Sequence, residues 1–90
     1  TAFALAPVTP NPMHGAGRVE FALPRSAGVR VSVIDLQGRE AMLLADGEYA
    51  AGRHSVAFST ARTGGLNAGL YFVQMRVAGQ TFTRRLAITR

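Results

Sequence analysis

Residues 70–77, Leu-Tyr-Phe-Val-Gln-Met-Arg-Val, place Tyr71, Val73, Met75 and Val77 on one face of an extended chain and Phe72, Gln74 and Arg76 on the other. Only a strand separates successive side chains in this way, so a period of two commits the segment to a half-buried β-strand. The signal recurs along the chain. Residues 18–23 alternate Val19, Phe21 and Leu23 against Arg18, Glu20 and Ala22. Residues 29–34 alternate Val29, Val31 and Val33 against Arg30 and Ser32. Residues 53–59 alternate His54, Val56 and Phe58 against Ser55, Ala57 and Ser59. With residues 3–8, 40–45 and 81–89 this makes about seven short strands spaced by turn residues, the pattern of an all-β antiparallel sandwich of the Ig-like kind.

The connections carry their own chemistry. Asp35-Leu36-Gln37-Gly38 joins two strands, with Asp where a type I turn begins and Gly where positive φ is needed. Ala78-Gly79 joins the last two strands, and Gly38, Gly52 and Gly79 are expected at turn positions that only glycine adopts freely. Residues 40–45 contain good helix formers, but Gly38 and Asp46-Gly47 leave room for only about two turns of helix, so a strand ending at Asp46-Gly47 is expected. Pro10-Asn11-Pro12 ends the first segment and confines it to an edge, because proline cannot donate to a ladder. In the last strand Phe82, Leu86 and Ile88 face inward with Arg84 in the same register. That requires either a bulge or an arginine whose stem lies at the rim of the sheet.

A chain of 90 residues holds one small domain that can bury about 60–65% of its unfolded surface. Without cysteine, no disulfide or thiolate–metal site supplements that core, and packing must suffice. At 48% hydrophobic and 17% charged, the composition is that of a folding chain. All ten basic residues are Arg, giving a formal charge of +5, but they are dispersed apart from Arg84, Arg85 and Arg90, which favours solubility over a binding patch. No apolar run approaches the roughly 18 residues of a membrane span, so a soluble domain is expected. Residues 1–8 lack the basic lead of a signal peptide. The chain reads as a piece of a longer protein, with residues 1–9 a linker or edge strand and residues 10–90 the domain.

Catalytic and metal chemistry find little to use. His14 lies in a Pro/Gly-rich loop, His54 begins a strand, and the five carboxylates Glu20, Asp35, Glu40, Asp46 and Glu48 are scattered, so no triad or glycosidase pair is indicated. Asp46-Gly47-Glu48 supplies two acidic ligands where calcium wants about six to eight oxygens, and a turn is expected there instead. Gly15-Ala16-Gly17 has no strand–helix context for a phosphate loop. No enzyme, cofactor or metal is indicated. Nucleic-acid binding and membrane insertion are not expected either, since no aromatic stripe or amphipathic helix accompanies the arginines.

Six elements in order carry a resemblance: Pro10-Asn11-Pro12, Val19-Glu20-Phe21-Ala22-Leu23-Pro24, Val33-Ile34-Asp35-Leu36-Gln37-Gly38-Arg39, Ala51-Gly52-Arg53-His54, Gly69-Leu70-Tyr71-Phe72-Val73 and Arg84-Arg85-Leu86-Ala87-Ile88. Over residues 10–90 the chain resembles the type A C-terminal sorting domains of the type IX (Por) secretion system, and the related Ig-like domain of the flagellar hook-capping protein. The resemblance implies an Ig-like sandwich ending a secreted protein, joined to an N-terminal cargo. It implies recognition by the outer-membrane translocon, passage through the periplasm, and release or surface attachment. A sortase-like peptidase would act near the linker before Pro10. The family's Gly-x-Tyr element maps onto Gly69 and Tyr71, and its recognition strand onto Arg84, Arg85, Leu86 and Ile88. Two departures stand out: Arg84 and Arg85 replace frequent lysines, which keeps charge but changes hydrogen-bond geometry, and Met13 replaces a frequent Phe.

Each of these residues also has a purely structural role open to it. Tyr71 on a buried face packs its ring while its hydroxyl seeks a main-chain partner. Arginines on an edge strand guard against wrong pairing. Truncating residues 86–90 is expected to strand a fused cargo in the periplasm. The alternative is a passive Ig-like spacer, or an accessory module making weak contact with polysaccharide beside a secreted polysaccharide-degrading enzyme. Tyr49 and Phe72 are then the aromatics expected to face outward.

Overall fold

The computed structural model describes residues 2–59 and 67–89. Eight strands account for the fold: β1 (Ala4–Leu5), β2 (Thr9–His14), β3 (Ala16–Leu23), β4 (Ala27–Ile34), β5 (Glu40–Tyr49), β6 (Gly52–Ser59), β7 (Gly69–Val77) and β8 (Gln80–Ile88). One sheet has β3 at its centre, flanked by β6 on one edge and by β1 and β2 on the other. The second runs β8-β7-β4-β5. All pairings are antiparallel except that of β2 with β8, which meet in parallel at Met13 and Ile88. Strand β2 thus belongs to both layers and closes the sandwich along one side, in the Ig-like arrangement.

The alternating residues point where their period places them. Val19, Phe21 and Leu23 of β3 and Phe58 of β6 face Val29, Val31 and Val33 of β4, Val73, Met75 and Val77 of β7, and Leu86 and Ile88 of β8 across one core. The accessible surface of 5302 Å² matches that of a chain this size with a single thin core.

The N-terminal stretch differs from its sequence reading. Prolines 10 and 12 lie within β2 and do not end a strand, and Leu5, Val8 and Met13 are fully buried beside β3 and β8. Each buried aliphatic side chain of this kind contributes about 1.5–3 kcal/mol, so the segment is integral to the core. Met13 fits because Gly17 faces it: a Cβ on Gly17 would lie 2.5 Å from Met13 Sδ. Strand β5 is also longer than expected. It continues through Asp46-Gly47-Glu48, which pair with Arg30, Val29 and Gly28 and form no turn. Gly47 carries the strand on at φ 155°, and Arg30 bridges Glu40 at 2.8 Å and Asp46 at 3.1 Å along the outer side of the ladder.

Both hairpin turns are as the sequence indicates. Gly38 N–H donates to Asp35 C=O at 3.0 Å with Gly38 at φ 86°, a type I turn closed by a glycine bulge. Asp35 Oδ1 also accepts the Gln37 and Arg39 amides, each at 2.9 Å, and Oδ2 accepts Arg39 Nε at 3.1 Å. The Arg39 amide chiefly holds the Asp35 carboxyl below its ordinary 3.8; desolvation opposes it, and the Gln37 amide and the Arg39 guanidinium each add a lesser lowering. The β7–β8 turn has Ala78 at φ 51° and Gly79 at φ 75°, a two-residue turn with both centres left-handed.

Two outcomes follow. A left-handed alanine costs about 1–2 kcal/mol and asparagine tolerates this conformation, so Ala78→Asn is expected to stabilise the fold by about 1 kcal/mol in urea denaturation; an unchanged midpoint would count against the turn geometry. Because the Asp35 pKa is lowered in the folded state, its contribution is full above the unfolded value near 3.8 and is lost as pH falls through the folded value. The acid limb of a stability–pH curve is therefore expected to flatten in Asp35→Asn, with overall stability near neutrality reduced.

Candidate functional site

The β7–β8 hairpin brings the sequence-identified residues together. Across the ladder Gly69 opposes Ile88, Tyr71 opposes Leu86, Val73 opposes Arg84 and Phe72 opposes Arg85. Two elements separated along the chain are thus direct cross-strand neighbours, at the end of the hairpin away from its turn.

Their side chains have different fates. Leu86 and Ile88 are buried in the core. Tyr71 is half-buried, its ring against the core and its hydroxyl donating to Asn67 C=O at 2.9 Å. This is the geometry of a tyrosine corner, in which a tyrosine near the start of a strand ties down the chain just upstream. Gly69 is exposed at φ 152°. Arg84 stays in register without a bulge in β8, on the inward-facing side, and its Nε donates to Leu5 C=O at 2.7 Å. Of the two arrangements its position required, the structure has the rim. Arg85 lies on the opposite face, exposed beside Phe72. Arg90 and most of the glycine-bearing loop over residues 60–68 lie outside the described residues.

The outer edge of β8 holds an arrangement that sequence reasoning did not single out. Asn11 sits between two prolines, neither of which has an N–H. Its side-chain amide takes over the ladder: Nδ2 donates to Arg85 C=O at 3.1 Å, and Oδ1 accepts Ala87 N–H at 3.1 Å. Two residues further on the main chain resumes, with Thr89 N–H donating to Met13 C=O at 2.9 Å. Thr89 Oγ1 lies 2.7 Å from His14 Nδ1. An asparagine bracketed by prolines beside a strand signature was the available sign, since a carboxamide carries the donor and acceptor of a peptide group.

Two further expectations meet the structure here. Tyr49 is not an outward platform. Its ring packs edge-on against Phe21 at 5.4 Å and His54 at 5.1 Å, because β5 runs on to bring it over the open end of the core. His54 stacks on Phe21 at 5.3 Å and its Nε2 lies 2.7 Å from Ala50 C=O. Phe72 alone of the two aromatics lies on an outer face. No group of three or more His, Cys, Asp or Glu side chains comes together among the described residues.

Removing the Asn11 carboxamide leaves two main-chain groups of β8 without protein partners. Asn11→Ala is expected to cost about 1–2 kcal/mol, read as a lower urea midpoint at unchanged slope; an unchanged midpoint would mean that water serves the β8 edge equally well.

Comparison with known proteins accords with this geometry. No curated protein sequence matches the chain. Among solved structures, its fold is similar to part of the alkylpurine DNA glycosylase AlkC of Pseudomonas fluorescens, determined bound to DNA containing an abasic site analogue, with 15% identity and a TM-score of 0.54. The match covers 98% of this chain but only 30% of the glycosylase, and it is a likeness of fold alone. The model of a family described as the secretion system C-terminal sorting domain matches residues 7–89, which takes in the latch of β2, the Asp35 turn and the whole β7–β8 hairpin. The chain belongs to this family of type IX secretion C-terminal sorting domains, which direct the protein they end through the periplasm to the cell surface or beyond.

Proposed function

We propose that the domain is a non-catalytic address on a secreted cargo, read by the type IX translocon at the β7–β8 hairpin, after which the cargo is released or fixed to the cell surface. The observation that carries this reading is the register, which sets Gly69 and Tyr71 directly against Ile88 and Leu86 and so joins the two family elements in one hairpin. Within it the residues divide by role. Leu86, Ile88 and Tyr71 hold the hairpin's shape, being buried or half-buried. Arg84 fastens the last strand to the N-terminal stretch through Leu5. Arg85 and Gly69, exposed like Arg84 but not tied to Leu5, are the members that a receptor meets. A sortase-like peptidase acting on the cargo side reaches the chain most readily ahead of β1, because Leu5 and Val8 are buried.

A fusion of residues 1–90 to a periplasm-competent fluorescent protein is expected to be exported by a type IX host. The same fusion ending at residue 85 is expected to stay in the periplasm, its reporter folded, because the truncation removes Leu86 and Ile88 from the core and with them the hairpin. Equal export of the two fusions would contradict the sorting role of this hairpin.

A further inference from the structure

Across β4, β7 and β8 the outward face of the second sheet changes character along its length, while the edge strand β5 sets Leu43 opposite Ser32 and Glu40 opposite Ile34. Register brings Arg30, Arg76 and Thr81 to one height and Ser32, Gln74 and Thr83 to the next, all polar. Then Ile34, Phe72 and Arg85 share a height, followed by Leu70 and Ala87. Three strands thus turn from polar to apolar outward residues at the same level. A solvated face of an antiparallel sheet is ordinarily polar, and Leu70 is 54% exposed within this contiguous patch, beside half-buried Ile34, Phe72 and Ala87. Among the described residues β3 and β6 show no large apolar side chain on the outward face of the other sheet: β3 presents Arg18, Glu20 and Ala22 there, paired with Ala57, Ser55 and Arg53 of β6.

Position and charge identify what meets it. Ala4 pairs with Ala22, and the Arg25 guanidinium lies 5.1 Å over the Phe3 ring, so the chain enters beside the β3–β4 connection. Val29 pairs with Val77 near that same end, which puts the patch at the other end of a molecule 37 Å long. A cargo preceding the domain therefore departs from the far pole. Arg30 is neutralised by Glu40 and Asp46, and Arg39 by Asp35; Arg85 at the edge of the patch, like Arg76 on the polar half of the face, has no carboxylate partner among the described residues. An apolar centre with one unneutralised arginine at its rim is the composition of a protein-binding site, arginine being suited to grip a carboxylate with two parallel bonds.

We infer that Ile34, Leu70, Phe72 and Ala87, with Arg85 at their rim, form the docking surface for a component of the export machinery that presents apolar side chains around a carboxylate. This rests on the sorting role above and assigns that role a face of the sandwich.

The test uses the full cargo protein in a type IX host, with four variants: deletion of the whole domain, Leu70→Thr/Phe72→Thr, Arg85→Glu, and Arg76→Glu on the polar half of the same face. Deletion is expected to abolish export, and the double variant and Arg85→Glu each to reduce it by about tenfold or more, the effect of losing one interface anchor. Arg76→Glu should export within roughly twofold of wild type, as expected of a surface change away from the contact. Melting temperatures of the purified domains accompany the assay. If the double variant melts early, Arg85→Glu, an exposed change, decides alone. Wild-type export of Arg85→Glu, with deletion still blocking, would overturn the surface while leaving the sorting role intact. Export that survives deletion would overturn both. Sedimentation supplies a third arm: a wild-type dimer that the double variant dissolves would assign the patch to a second copy and overturn the inference.

Discussion

The carboxamide of Asn11 closes this sandwich. The chain must pass from β3's edge to β8's edge to cover both layers, yet it does so through a segment whose prolines have no main-chain donors. Asn11 supplies the missing donor and acceptor to Arg85 and Ala87, and Met13 then accepts from Thr89 in the ordinary way. With β2 held there, Met13 sits over Gly17, Val8 is buried, and the inner faces of β3 and β8 are covered. Prolines also make the covering strand a poor template for foreign strands, which protects that edge.

This closure gives the last strand two faces with separate tasks. Toward the core, Leu86 and Ile88 contribute burial and Arg84 ties down Leu5. Away from it, Arg85 and Ala87 join Leu70 and Phe72 of β7. Adjacent arginines that look like one basic motif in the sequence therefore sit differently: one fastens the N-terminal stretch, and the other stands exposed on the outer face. Lysine at position 84 would lack the planar fork that reaches a carbonyl through Nε while keeping its charge in solvent. Arginine at position 84 thus has a local structural use.

Much of the fold was legible because alternation is a direct readout of burial. Val19, Phe21 and Leu23, the valines of β4, and the inward residues of β7 lie where their period puts them, and the Asp35–Gly38 turn follows from its two defining residues. The misreadings have a common physical origin: local breakers were taken to outweigh long-range pairing. Asp46-Gly47 stays in a strand because its residues pair with Arg30 and Val29 of β4, and Pro10–Pro12 stays in one because a side chain replaces the main chain. Tyr49 turned inward for the same reason, since a longer β5 delivers it to Phe21 and His54. The candidate residues were named through family resemblance, but how the fold arranges them was not legible. Register alone separates Arg84 from Arg85 and unites Leu70, Phe72 and Ile34, and register between distant strands is not written in any one segment.

Amide hydrogen exchange on the intact domain tests the closure most directly. Hydrogen bonds from Asn11 to Arg85 and Ala87 place the odd-numbered amides of β8 on its outer edge, where β2 covers only the C-terminal half. Ala87 and Thr89 are predicted to exchange as slowly as their β7-facing neighbours, while Thr81 and Thr83 exchange fast. Rapid exchange at Ala87 and Thr89, at the rate of Thr81 and Thr83, would show the last strand unlatched and would contradict the account.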